Sequence, residues 1–365
     1  MRRRVGALAL VALACVLAAC EHSAPGAVTS AGNVGPFSAS LPRRLTFFEG
    51  YDITPSVRGG TLVYSRQSAA EPSNYDPTGR GREACLAFMD VEGGTITRQL
   101  CPDRLVTRPD TFVDTWSEPA VSPDGRRLAF FWKRGTRIGP LAFRDGYLTV
   151  TSVDRPTEPP AARVQVTYQE AGAAPRRANI PTRVTWADDG HVRFLATEEL
   201  IIKVKDGGSQ RVTDTLEYPL ALMELDVAAG TARVVPGGDS VVAYASAPDG
   251  GIWVVRADDS TAVWRLDPAT GSRTLVGRFA SRPLDIAAVG GIVVAIVDRG
   301  AALAGLDPET GIALPLFVLE SLSPLKGAGP ARRLASTGGR RFVLDLDRSV
   351  GRWGAPPDLW LMELW

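Results

Sequence analysis

Short apolar runs of β-forming residues, each preceded by a glycine-bearing turn, recur along the chain. Their period is that of strands, with no sustained helical repeat. The clearest copy is Glu118-Pro-Ala-Val-Ser-Pro-Asp-Gly-Arg-Arg-Leu-Ala-Phe130, a short strand, a Pro-Asp-Gly turn and a second strand. Six such units can be aligned on their last turn glycine: Gly60, Gly125, Gly190, Gly250, Gly291 and Gly339. Glycine at the end of each turn is expected to take the positive φ that a tight hairpin requires.

A second signal follows each of four units. Asp90 stands four residues before Gly94, Asp226 before Gly230, Asp267 before Gly271 and Asp307 before Gly311. An aspartate that caps a turn, followed by a glycine in the left-handed region, predicts a second hairpin, and hence four strands per unit. The turn glycines lie 65, 65, 60, 41 and 48 residues apart, and a period near 41–48 with four strands is that of propeller blades. The longer intervals are expected to hold insertions at Gln67 to Arg82, Glu158 to Ala178 and Glu198 to Thr215.

The pattern predicts an all-β chain, a six-bladed β-propeller of four-stranded antiparallel blades forming one domain over 42–365. The last unit ends at Leu359-Trp-Leu-Met-Glu-Leu-Trp365 with one outer strand missing, and Arg43-Arg-Leu-Thr-Phe-Phe48 has no partner of its own. The N-terminal run is therefore expected to complete the sixth blade and remove its open edge. The recurring aromatics Phe130, Trp186, Trp253, Trp264, Phe342 and Trp360 are expected between blades as core, ahead of a ligand-stacking role.

Composition supports a well-cored, turn-rich protein: 45% hydrophobic residues with 37 glycines and 27 prolines. The first twenty residues stand apart. Arg2 to Arg4, the apolar run Val5 to Val16, and Leu17-Ala-Ala-Cys20 form a charged region, an apolar region and a small-residue cleavage site. This resembles the lipobox of bacterial lipoproteins. The resemblance implies a signal peptide over 1–19, lipidation of Cys20, and a membrane anchor through lipid, with 20–41 as a flexible tether. Glu21 in place of aspartate leans towards the outer membrane by the same resemblance. Without residues 1–19 the balance is 38 basic against 40 acidic residues, which offers nothing to nucleic acid.

Trp116-Ser-Glu-Pro-Ala120 with Ser122-Pro-Asp-Gly-Arg-Arg-Leu-Ala-Phe-Phe131 resembles the repeat of the TolB family of periplasmic six-bladed propellers, a WD-like repeat. Arg43-Arg-Leu-Thr-Phe-Phe-Glu-Gly-Tyr-Asp52 resembles the junction between two of its blades. The likeness covers two blades, and the same repeat occurs in oligopeptidase propeller domains and other lipoproteins, so it implies fold more than function. TolB carries a separate N-terminal α/β domain, for which this chain has no room; that argues against a Tol-Pal role.

Candidate chemistry is sparse. The two histidines are His22, in the tether, and His191, beside the Asp188-Asp-Gly190 turn, which disfavours Ser-His-Asp hydrolysis and histidine-ligated metals. No nucleophile elbow or phosphate loop is present. The pairs Asp188-Asp189, Asp258-Asp259 and Asp345-Leu-Asp347 read as turn caps or solvated edges ahead of calcium ligands, and no cofactor is expected. Cys85 and Cys101 flank the Glu92-Gly-Gly94 turn at nearly equal distance, so a structural disulfide is expected ahead of a redox pair. At one mouth of the channel the blade junctions carry Asp52, Glu118, Arg183 and Asp285. This ring is expected either to contact a ligand or to hydrogen-bond neighbouring blades.

The leading expectation is a monomeric, non-catalytic scaffold of the cell envelope that binds an envelope protein or a small ligand. A calcium-dependent hydrolase or lactonase-like enzyme and a passive surface lipoprotein stand as alternatives.

Overall fold

The computed structural model describes residues 40–47, 50–67, 84–102, 112–137, 145–156, 160–166, 168–169, 177–202, 214–319, 330–347 and 357–364. The expected signal peptide, Cys20 and all of the tether before Ser40 lie outside the described residues. Strand β1 is Arg43–Arg44. The first blade is β2 (Tyr51–Arg58), β3 (Thr61–Gln67), β4 (Ala84–Asp90) and β5 (Thr95–Leu100); the second is β6 (Phe112–Val121), β7 (Arg127–Arg137), β8 (Asp145–Ser152) and β9 (Ala162–Val166). The third blade is β11 (Arg177–Trp186), β12 (His191–Ile202), β13 (Asp214–Asp226) and β14 (Thr231–Asp239), with the two-residue β10 (Tyr168–Gln169) paired to β11. The fourth is β15 (Val241–Ser246), β16 (Ile252–Arg256), β17 (Ala262–Leu266) and β18 (Arg273–Arg278). The fifth is β19 (Asp285–Val289), β20 (Ile292–Val297), β21 (Ala302–Leu306) and β22 (Ala313–Val318). The sixth is β23 (Ala331–Ser336), β24 (Arg341–Asp347) and β25 (Pro357–Glu363), closed by β1.

All pairings are antiparallel, and the chain forms a six-bladed β-propeller. Because side chains alternate across a strand, a central strand such as β20 feeds two interfaces at once. Ile292, Val294 and Ile296 pack with Phe342 and Leu344 of the sixth blade, whereas Val293, Ala295 and Val297 pack with Trp253 and Val255 of the fourth. The described core thus divides into six buried clusters, one between each pair of consecutive blades. The expected aromatics take their places there: Phe130, Trp186, Trp253 and Phe342 are buried in these clusters, and Trp264 and Trp360 pack half-buried against them.

The N-terminal closure forms as expected. Arg43 pairs with Leu361 and Arg44 with Trp360. Beyond the two-residue strand, Leu45 N donates to Leu359 O at 2.8 Å and Leu359 N to Thr46 Oγ1 at 2.9 Å. Ahead of it, Ser40 N donates to Glu363 O at 2.7 Å. Arg44 meets the buried Asp358 at 2.5 Å, and Leu45 enters the cluster between the sixth and first blades.

The second-hairpin turns repeat closely. Gly94, Gly230, Gly271 and Gly311 each donate their N–H to the carbonyl of the aspartate four residues back, at 2.8–2.9 Å, with φ of 62–73°. In each turn an aspartate side-chain oxygen also accepts a backbone N–H at 2.9 Å, from Gly93, Ala229, Ala269 or Glu309. The first-hairpin expectation needs two corrections. Positive φ falls on Gly338 in the sixth blade, one residue before Gly339, and Gly190 does not adopt it. There the Asp188 carboxylate accepts the Gly190 N–H at 2.7 Å and stabilises a different turn.

Two expected insertions contain regular structure. Part of Glu158 to Ala178 is β9, the outer strand of the second blade, which no turn glycine announces. Glu198 to Thr215 lengthens the β12–β13 hairpin, whose pairing runs on to Ile202 and Asp214. Cys85 and Cys101 form a disulfide with Cα atoms 4.3 Å apart, next to the Leu86–Leu100 pair.

Candidate functional site

The inner strands do not run smoothly past the channel. β2, β6 and β11 each carry a bulge, at which Thr54, Glu118 and Arg183 have φ of 52–53°. A side-chain-bearing residue in the left-handed region costs of order 1–3 kcal/mol, so three blades hold the same unfavourable conformation at the same level. Bulges also fall in β15 and β23, between Val241 and Ala243 and between Ala331 and Leu334. An extra residue in an inner strand bends it and redirects the neighbouring side chains. Here the redirected groups meet across the axis of the ring.

Arg183 is the hub. Its Nε donates to Asp285 Oδ1 at 2.7 Å, its Nη1 to Val242 O at 2.7 Å, and its Nη2 to Leu284 O. Its backbone N–H donates to Glu118 Oε2 at 2.8 Å. Glu118 Oε1 lies 3.5 Å from Arg333 Nη2 of the sixth blade. The second oxygen of Asp285 accepts the Leu334 N–H at 2.9 Å. Asp345, on β24 behind the bulge, accepts the Arg332 and Arg333 N–H groups at 3.0 and 2.7 Å. Three consecutive backbone donors of β23 are thus held by two carboxylates, which fixes the base of the Arg333 side chain.

Electrostatics reflects this burial. Burial pushes the Asp345 carboxyl up to about 6; Arg333 and the two backbone donors oppose the rise and Asp285 adds to it. Burial draws Arg183 below the ordinary arginine value, and the Asp285 carboxylate opposes that. The buried Tyr244 hydroxyl, 2.9 Å from Thr185 Oγ1, is raised above the ordinary tyrosine value, again by burial.

A cavity of about 820 Å³ lies against this network. Its wall runs from Thr54, Glu118, Arg183, Tyr244, Asp285 and Arg333 to the inner-hairpin turns at Gly59, Pro123, Pro248, Gly290 and Gly338. The volume is within the range of small-molecule sites. The site was expected at the blade junctions, yet the cavity extends the other way, from the charged network towards the exposed hairpin turns.

Of the four expected ring residues, the structure brings Glu118, Arg183 and Asp285 together and leaves Asp52 apart. Asp52 is fully buried in the first blade, where both its oxygens take Arg66, at 2.8 and 2.9 Å. It does not line the cavity; Thr54 holds the first blade's place. Arg333, Tyr244 and Asp345 were not anticipated in this role. His191 pairs with Asp188 at the surface, 2.9 Å away. Asp258 holds Arg256 and Asp259 holds Arg278. Among the described residues no group of three or more histidines, cysteines, aspartates or glutamates is arranged to hold a metal ion.

No protein-family model and no curated protein matches the chain. Solved structures do resemble it. A protein of unknown function from Bacteroides thetaiotaomicron has 11% identity and a TM-score of 0.50, over 90% of this chain and 76% of that one. The PQQ-bound aldose sugar dehydrogenase from Streptomyces coelicolor has 14% identity and a TM-score of 0.47, over 90% and 98%. The β-propeller domain of Cps50 from Myceliophteria thermophila has 10% identity and a TM-score of 0.48, over 88% and 99%. At such identities the likeness concerns the fold, which hosts enzymes and other proteins alike.

Proposed function

We propose that this chain is a lipid-anchored, TolB-like β-propeller of the bacterial cell envelope that binds a ligand or partner through its channel without catalysing a reaction. The observation that carries this reading is the engagement of the channel carboxylates. Both oxygens of Asp285 accept donors, from Arg183 and Leu334, and both oxygens of Glu118 face donors, from Arg183 N and Arg333. A general base needs an oxygen available to a substrate proton, and a calcium site needs several oxygens free to converge. This network supplies neither, while the adjoining cavity supplies a concave surface held by rigid strands. The lipobox-like Leu17-Ala-Ala-Cys20 supports the anchor, and the Cys85–Cys101 disulfide fits an oxidising compartment.

A photo-crosslinking residue in place of Ser246, on the cavity wall, is expected to capture a specific envelope component. The same residue in place of Val234, on an outer strand, is not. Equal capture at both positions counts against a channel site. Metabolic labelling with palmitate, lost in Cys20→Ala, tests the anchor. Turnover of lactone or ester substrates that depends on Glu118 would replace the binding reading with an enzyme.

A further inference from the structure

The charged groups of the cavity floor are all engaged with one another or with the backbone. Arg183 has Nε, Nη1 and Nη2 each on an acceptor. Both oxygens of Asp285 and both of Glu118 meet donors. Arg333 interacts with Asp345 as well as with Glu118, and has partners beyond these. Arg58, the remaining charged residue of the described wall, stands exposed beside the Gly59 turn, where solvent weakens its pull on an anion. A charged ligand entering this space would give up hydration without gaining a counter-ion; an uncharged one would not.

The groups left to a ligand are those of the backbone. The wall takes consecutive residues, Glu118 to Val121, Arg183 to Trp186 and Asp285 to Ala288 among them. Side chains alternate along a strand, so an unbroken run marks a strand edge and not one face. Each inner strand ends its sheet on the channel side, apart from β11, which meets β10 only at Arg177 and Ala178. The ladder shows which edge groups point inward. Ser122, Ala187, Ala247 and Thr337 donate their N–H across the inner hairpin to Arg127, His191, Gly251 and Arg341, at 2.8–3.0 Å. In an antiparallel pair, residues bonded to the partner alternate with residues whose N–H and C=O point the other way. The register runs on without a shift to the residue before each, namely Val121, Trp186, Ser246 and Ser336. These four therefore turn their N–H and C=O towards the cavity, and all four line it. Four blades thus present a donor and an acceptor at one level around a common axis.

A hydroxyl is a donor and an acceptor at once and carries no charge. A ring with hydroxyls on its perimeter can serve the N–H of one blade and the C=O of another, while its C–H faces lie against Pro55, Pro119 and Ile286 of the wall. Accordingly we infer that the channel binds an uncharged monosaccharide, held by the backbone edges of the inner strands. The inference rests on the channel-binding reading above and names its ligand class.

Calorimetric titration and thermal shift of the full-length chain test it. The probes are D-glucose, D-galactose and D-mannose, each beside its uronate and its 2-amino form. The sugar that binds best is expected to do so at least about tenfold more tightly than either of its charged forms. Proline substitution tests the backbone directly, because it deletes one N–H and is tolerated where that N–H faces away from the ladder. Ser246→Pro and Ser336→Pro should keep the circular dichroism of the parent and weaken sugar binding by about tenfold, the effect of one lost hydrogen bond. Arg233→Gln, on the outer strand β14, is expected to bind as the parent does.

Failure of all three sugars to bind, equal affinity for charged and uncharged forms, or unchanged affinity in both proline variants overturns the inference. If neither proline variant folds, the comparison of charged with uncharged forms decides. Capture of an envelope component at Ser246 without sugar binding would sink only the ligand class. Loss of both would sink the channel reading as well.

Discussion

Arg183 of the third blade reaches Asp285 of the fifth, Nε to Oδ1 at 2.7 Å, and on the way donates to the Val242 carbonyl of the blade between them. Like the Glu118–Arg333 contact between the second and sixth blades, it joins blades that are not neighbours in the ring. It couples three blades at the level where their inner strands bulge.

Removing one partner of a buried pair leaves the other charge uncompensated, at a cost of about 3–5 kcal/mol, whereas removing both can be close to neutral. Arg183→Leu is therefore expected to lower unfolding stability by that amount. The double variant with Asp285→Asn should recover much of the loss. Urea denaturation of the two single variants and the double variant measures the coupling; additive losses would show that the pair does not act as a unit.

Asp345 makes stability depend on pH. Its carboxyl titrates at about 6 in the folded protein against an ordinary 3.8. Between those values the folded state keeps a proton that the unfolded chain has released, so this contribution is present in full below about pH 4 and is lost as pH rises through 6. The loss amounts to about 3 kcal/mol at most. Asp345→Asn keeps an oxygen for the Arg332 and Arg333 N–H groups and cannot ionise. It should be the more stable protein at pH 8 and lose the advantage at pH 4, as denaturation at the two pH values would reveal.

The outer strand of the fourth blade passes very close to the second turn of the fifth. A methyl group on Gly277 would lie 2.5 Å from Gly311 O and 2.6 Å from Leu306 Cδ1. Gly277→Ala should destabilise by about 1–3 kcal/mol, the usual cost of overpacking. Gly339→Ala, with no neighbouring atom within 4 Å, should do little. The midpoints of chemical denaturation compare the two.

Opening the Cys85–Cys101 bond frees a loop with a sequence separation of 16, worth roughly 3 kcal/mol on the chain-entropy account. The double alanine variant should melt at a lower temperature, and addition of reductant to the parent protein should shift its melting towards the same value.

Much of this architecture is legible in the sequence because turns are local. Each Asp-to-Gly spacing of four encodes one hairpin, and the unpartnered Arg43 run pointed to the closing strand. The site was legible in part, for a geometric reason. Thr54, Glu118, Arg183, Tyr244, Asp285 and Arg333 all stand six or seven positions before the last turn glycine of their units. That spacing is a usable signal for channel-facing positions and would have selected Arg333 and Thr54 in place of Asp52. Asp345 follows no such rule: it sits on a second strand, and its role depends on a bulge in the strand beside it. Strand β9 escaped notice because its preceding turn lacks the glycine that marked the others.

The closing strand also sets an order of events. Arg43 to Thr46 are among the first described residues to leave the ribosome, and their partners at Leu359 to Leu361 are among the last. Blades built from consecutive hairpins can form as the chain lengthens, but the ring stays open until β25 has emerged. A chain truncated before Pro357 therefore cannot close, however well its earlier blades have folded, and the exposed edge of β24, with β1 left unpaired, would mark it as unfinished.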